Sequence, residues 1–314
     1  MTLSPVGIGS DVENAFDRCS EDVRRNARNF WYGLRLLPRD RFLPMCAIYA
    51  WMRRADDLAD DDSGATPHDH ADRRIALGEF RERTRALFRG EAPSRQPVEE
   101  RHIWLAMGRT LSTIPLDSAD FESMIDGQCS DLEPRRIEDM DALLVYCDQV
   151  ASTVGRICTR VWGATDATAL ELASERGIAF QLTNILRDVR EDHGRGRVYI
   201  PDSLLSAHEL RIEDLLDWRS PDRCRAVVGA LANAARDRYA LARPLDGMID
   251  AECRPTSWAM TTIYRSLLEK IAHRPRLVGR GDRIRLSSLR KIAIALRARR
   301  FAWYGHGARG GTVS

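Results

Sequence analysis

Long apolar runs are missing from this 314-residue chain. The longest, Leu43 to Met52, falls well short of the roughly 20 residues that a bilayer-spanning helix requires. No membrane crossing is expected, and the opening MTLSPVGIGS has neither the basic nor the apolar segment of a secretory signal. Cysteine is sparse and unpatterned: Cys19, Cys46, Cys129, Cys147, Cys158, Cys224 and Cys253 are odd in number and form no C-x-x-C pair. That argues against a zinc site or a disulfide framework and reads as reduced thiols in a cytoplasmic protein. A charge excess is also absent. With a net charge of +2 the molecule as a whole is no nucleic-acid binder, and any electrostatic recognition must be local. Strict period-two alternation, internal repeats and interdomain linkers are not found either.

What is present is helical periodicity. The composition, 44% apolar and 30% charged, is that of a globular protein. Apolar residues recur at three- and four-residue spacing through most of the chain. Pro38-Arg39-Asp40 has the form of a helix start. Breaks are predicted at Asp62 to Pro67, Gly90 to Pro97, Pro115, Pro134, Gly194 to Pro201, Ser220-Pro221 and Pro255. The pattern predicts one all-α domain over residues 11–304, with a flexible N-terminus (1–10) and a flexible Gly-rich tail (305–314).

Two acidic clusters stand out. Asp56 and Asp60 are i,i+4 and share a helical face, with Arg53 and Tyr49 in the turns before them. Like charges at this spacing weaken a helix by about 0.2–0.5 kcal/mol per pair, and acidic residues belong at helix N-termini rather than C-termini. The cluster is therefore either a solvated helix end or a pair of hard oxygen ligands for Mg²⁺, with the planar Arg53 fork suited to a phosphate. In the second cluster Gln181, Asn184, Asp188 and Asp192 form a polar stripe, opposite Leu182, Ile185, Leu186 and Val189. The preceding Gly177 to Phe180 is apolar all round, which turns the stripe inward. Buried carboxylates then need a metal, Arg187, or both. Two such faces across a bundle can clamp Mg²⁺ ions around a leaving diphosphate. The remaining carbocation would need apolar and aromatic walls, for which Phe30, Trp31, Phe42, Trp51, Trp162 and Phe180 are candidates.

Four segments together resemble the squalene/phytoene synthase family of head-to-head trans-isoprenyl diphosphate synthases: Ala27 to Pro38, Tyr49 to Asp61, Tyr146 to Gly155, and Gln181 to Pro201. The last is the most specific. The resemblance implies a class I isoprenoid synthase-like helical bundle with a central cavity, prenyl diphosphate substrates and two or three Mg²⁺ ions. NADPH enters only if squalene is the direct product. It also implies roles by position. Asp56, Asp60, Asn184, Asp188 and Asp192 match metal ligands, Tyr49, Arg53 and Arg187 match diphosphate contacts, and Asn29 stands where several relatives have a serine that touches diphosphate. Tyr146 matches a tyrosine near the reacting carbons. Gln181, Val150, Gly155 and Phe30 match the prenyl cavity, and Tyr264 and Arg283 a second phosphate pair.

The implied reaction ionises one prenyl diphosphate, adds the C2=C3 bond of a second molecule, and loses a proton to give a cyclopropylcarbinyl diphosphate. The released diphosphate or Tyr146 could take that proton. One departure is Tyr146-Cys-Asp148-Gln149-Val-Ala-Ser152, where many relatives have Y-C-x-Y-V-A-G. The variant looks more like hopanoid-pathway members, and it favours farnesyl diphosphate as substrate and presqualene diphosphate or squalene as product. Phytoene formation from geranylgeranyl diphosphate is the alternative; a non-catalytic scaffold relative is another. Downstream isoprenoid-pathway enzymes would be partners. Finally, Arg283 to Arg300 carries seven basic residues among eighteen, interleaved with apolar positions. Such a helix is either the last member of the bundle or a peripheral contact to the inner face of a membrane.

Overall fold

The computed structural model describes residues 5–27, 30–59, 67–93, 96–282 and 284–306. Asn29, Asp60 and Arg283 lie outside these residues, as do positions 1–4 and 307–314 of the two terminal segments.

Fifteen α-helices follow one another among the described residues: α1 (Pro5–Asn26), α2 (Phe30–Leu34), α3 (Arg39–Ala59), α4 (Pro67–Phe88), α5 (Arg101–Leu111), α6 (Ser118–Ser130), α7 (Met140–Cys147), α8 (Thr153–Val161), α9 (Ala167–Gly194), α10 (Asp202–Ala207), α11 (Ile212–Asp217), α12 (Pro221–Leu241), α13 (Leu245–Met248), α14 (Arg254–His273) and α15 (Ser288–His306). The fold is the expected all-α bundle in one domain. Helix starts follow local chemistry. Asp117, Asp139 and Asp166 cap α6, α7 and α9 by accepting backbone N–H bonds at 2.8–3.0 Å. Pro221 and Pro255 occupy the first turns of α12 and α14, where no N–H is needed.

The 28-residue α9 is the axis of the molecule, packed against α8, α12 and α14. Two features without a periodic signature shape the space beside it. A π-helical turn at Asp148–Ser152 joins α7 to α8. It approaches α9 closely because Gly155 and Gly177 lack side chains: a Cβ on either would sit 2.5 Å from the carbonyl oxygen of Ala173 or Ala151. The other feature is a two-residue parallel pairing of β1 (Arg135–Arg136) with β2 (Arg197–Val198), which ties the loop after α6 to the loop after α9.

The core is split. One apolar cluster gathers α7, the second half of α9, α12 and α14; the other gathers α1, α3, α5, α6 and α8, with Trp51, Phe80, Trp104 and Phe121 at its centre. Phe30 and Phe180 pack against both. All seven cysteines are free thiols. Among the described residues no helix is long and apolar enough to cross a membrane.

Candidate active site

Between the two apolar clusters lies a cavity of about 1010 Å³. That is the top of the range of roughly 300–1,000 Å³ usual for ligand pockets. Helix α3 contributes Tyr49, Arg53 and Asp56 to its wall, and α9 contributes Phe180, Gln181, Asn184 and Arg187. Tyr146, Val150 and Gly155 line it from α7 to α8, Phe30 from α2 and Tyr264 from α14. Of the aromatic wall candidates, Phe30, Trp31, Trp162 and Phe180 reach the cavity. Trp51 does not: it is fully buried and donates to Thr84 Oγ1 at 3.0 Å. Phe42 packs edge-on against Trp31 behind the wall.

On α3, Asp56 Oδ1 accepts a 2.5 Å hydrogen bond from Gln128 Nε2 at the end of α6. Arg53 pairs with Asp57 at 2.5 Å, both about half exposed. Burial pushes the Tyr49 phenol up to about 12, so it stays a neutral donor beside Arg53 and Asp56.

On α9 the setting is more enclosed. Arg187 Nε donates to Asp188 Oδ1 at 2.8 Å, and a second bond links Nη2 to Oδ2, with side chains only 9% and 12% exposed. Burial works against the Arg187 charge, but the Asp188 carboxylate more than compensates. Burial holds the Tyr264 phenol above its usual range against the opposing pull of Arg187, and its ring stacks on Phe180 at 4.3 Å. Asp188 and Asp192 continue this face beyond the residues that line the cavity. Burial, reinforced by the neighbouring charges of Asp188 and Glu191, pushes Asp192 up to about 7.

These residues fit a magnesium ion. Their donors are hard carboxylate and amide oxygens, as Mg²⁺ requires. Asn184 Oδ1 is buried without a hydrogen-bond partner, the position of an acceptor kept for a cation. Among the described residues no three His, Cys, Asp or Glu side chains converge as a self-sufficient cage. Mg²⁺ ordinarily takes only one or two protein carboxylates and completes its shell with phosphate oxygens and water.

The cavity residues not singled out from the sequence include Gln128, Asp131 and Arg176. Asp131 is the acceptor of a buried tyrosine pair. Tyr146 donates to its Oδ2 at 2.9 Å and Tyr199 to its Oδ1 at 3.1 Å, while the two rings stack at 4.8 Å. The β1–β2 pairing creates this arrangement by bringing Tyr199 to the loop after α6. Arg135 lies 3.7 Å from Asp131 and covers the Tyr146 ring at 4.6 Å. Burial first, then Asp131, holds Tyr146 far above the usual phenol range, so Tyr146 is a protonated donor. Arg176, only 6% exposed, bonds Asp246 Oδ1 at 2.8 Å and the Ala242 carbonyl at 2.9 Å, leaving its Nε unpartnered.

The variant residues of the Tyr146 segment face elsewhere. Asp148 pairs with Arg156 at 3.3 Å, and Ser152 Oγ donates to the Ser174 carbonyl at 3.0 Å. Neither these two nor Gln149 line the cavity. The variant therefore gives no direct contact through which it would choose the prenyl chain, and the inclination to farnesyl diphosphate drawn from it loses its structural basis.

Comparison with known proteins agrees with this geometry. A family model described as squalene/phytoene synthase matches residues 23–290. The phytoene synthase of Mycobacterium tuberculosis is 34% identical over 293 residues, 92% of each chain. The 15-cis-phytoene synthase of Synechococcus elongatus is 32% identical, over 83% of this chain and 85% of its own. Among solved structures, a dehydrosqualene synthase superposes with a TM-score of 0.79 at 23% identity, covering 95% of this chain and 99% of that one. Squalene synthase HpnC from Alicyclobacillus acidocaldarius gives 0.75 at 23% identity, over 86% and 96%. At these identities the two structures speak for the fold.

Proposed function

The chain belongs to the squalene/phytoene synthase family of prenyltransferases, and from that premise we propose that it condenses two geranylgeranyl diphosphates head to head into phytoene. The observation that carries the reaction class is that one cavity is lined both by Asp56, Asn184 and Arg187 and by Phe30, Trp31, Trp162 and Phe180. Relatives named phytoene synthase that match over 92% of the chain support the C20 substrate.

Enzymes of this family are in general dependent on divalent metal. Asp56, Asn184, Asp188 and Asp192 would hold Mg²⁺, with Asp60 of the same sequence motif, and the bound ions would stabilise the departing diphosphate. Arg187 would be the fixed cation for its oxygens, with Arg53 a second cation that exchanges its half-exposed partner Asp57 for them. The aromatic walls exclude water from the allylic cation and present ring faces to it. For the proton lost on cyclopropane formation, Tyr146 and Asp131 form a route: the phenol oxygen accepts it as the phenol proton moves to the Asp131 carboxylate 2.9 Å away. The second ionisation, rearrangement and proton loss to phytoene needs no reductant.

One observation favours a second reading, condensation of farnesyl diphosphate. Arg176 lies on α9 eight residues before Asn184, about 12 Å along the helix axis, and places a charged group in the wall where a longer tail would run. Incubation with Mg²⁺ and each diphosphate, with and without NADPH, tests both readings. Phytoene from the C20 substrate supports the proposal. Turnover of the C15 substrate alone overturns it in favour of the second reading, and no diphosphate release from either, in folded protein, would favour a scaffold.

A further inference from the structure

We propose that the outward face of α15 is a docking surface for an anionic lipid bilayer, set beside the rim of the cavity. Leu289, Ile292 and Leu296 are 79%, 42% and 58% exposed, at helical spacings of three and four that align them in one stripe. The other exposed large apolar side chains among the described residues, Ile75, Val98, Val145 and Leu241, sit singly on four different elements. Isolated residues of that kind need no explanation; a stripe does. The opposite face of α15 is already satisfied. Lys291, Ile294 and Ala298 are at most 8% exposed, on a helix packed against α14 and α2. The stripe is therefore a second apolar face, in excess of what fastens the helix to the bundle.

Charge identifies the occupant. Arg285, Arg290, Arg297 and Arg299 are exposed around the stripe, and no acidic residue occurs from Arg283 to Ser314. A second copy of the same basic face would be repelled, whereas an anionic headgroup layer is attracted and accepts the leucines beneath it. Position agrees with this choice. Ile284, Leu286, Ser288 and Lys291 line the cavity, so one segment carries both the cavity rim and the start of the stripe. A long hydrocarbon product, which rests on the proposed function, would leave directly towards the bilayer.

Flotation of the full chain with vesicles, without substrate, tests the surface independently of the reaction. The protein is expected to float with vesicles of phosphatidylcholine plus phosphatidylglycerol at low salt. Its recovery should fall about tenfold or more with phosphatidylcholine alone or at high salt. The variant Leu289→Ser/Ile292→Ser/Leu296→Ser should lose the same factor with an unchanged Tm, since these side chains are exposed. Arg290→Gln/Arg297→Gln/Arg299→Gln should lose it on anionic vesicles as well. Protein that stays wholly unbound at low salt, or a serine variant that floats as well as the parent, overturns the proposal. A dimer by light scattering that the serine variant converts to monomer, with no flotation of either, would assign the stripe to self-association and also overturn it. Flotation with no prenyl turnover would leave the surface standing and remove only the reaction.

Discussion

Asp56/Asp60 and Asp188/Asp192 share the same i,i+4 spacing in the sequence, yet the described residues of α3 and α9 hold their carboxylates differently. On α3, Asp56 is held by a neutral amide, Gln128, and the nearby Arg53 is spent on the half-exposed Asp57. On α9, Asp188 is locked to an almost enclosed Arg187, and Asp192 is pushed up to about 7 by burial and by Asp188. On α3 a neutral donor orients the carboxylate, whereas on α9 a buried arginine holds one carboxylate beside a second whose charged form burial disfavours. The α9 half should bear more of the metal binding and more of the pH dependence.

The strongest way to break this comparison is to remove one carboxylate from each helix. Asp188→Ala deletes a proposed ligand and also strands a buried guanidinium, so kcat for diphosphate release should fall about 10³-fold. Asp56→Ala should cost less, about 10²-fold, because the group it leaves behind is the neutral Gln128 amide rather than a buried charge. Equal losses, or the reverse order, would remove the asymmetry. Next in size is Asp131→Asn, which leaves both helices intact and replaces the carboxylate beside Tyr146 with an amide that cannot take its proton. Cyclopropane formation should drop about 10²-fold while the initial ionisation, read as diphosphate released per product, drops far less. Gln128→Ala should be milder, about tenfold, and appear as a higher Mg²⁺ requirement rather than a lower saturated rate.

The smallest effect concerns stability. The Asp192 carboxyl has a higher affinity for protons when folded, at about 7, than when unfolded, near 3.9. Its unfavourable contribution to the metal-free protein is therefore absent at low pH, grows as pH rises, and is complete above about 7. Asp192→Asn should raise the metal-free Tm at pH 8 by about 2–6 °C, with the gain shrinking towards pH 4. Differential scanning fluorimetry of the metal-free protein across this pH range checks it.

Much of this was legible in the sequence because it is local. The 3.6-residue period gave the helices, and prolines at 67, 115, 134, 221 and 255 mark junctions that the structure keeps. The inward stripe on α9 could be read from Gln181, Asn184 and the apolar turn before them. Gln128 and Asp131 could not, since they meet Asp56 and Tyr199 across 72 and 68 residues through tertiary packing. The β1–β2 pairing is only two residues long in each strand, too short for any period. The placement of Asp148, Gln149 and Ser152 was not legible for a related reason. A π-helical turn rotates side chains off the α-helical register, so motif position does not tell which of them face the cavity.

The central claim is that the two helices form one Mg²⁺-dependent clamp serving head-to-head condensation. The most direct test is diphosphate release and hydrocarbon identity from purified protein with geranylgeranyl diphosphate, titrated with Mg²⁺, for the parent, Asp56→Ala and Asp188→Ala. The expected result is phytoene formed only with Mg²⁺ and lost in both variants, more severely in Asp188→Ala. Full turnover in chelator, or in either variant, would contradict the claim.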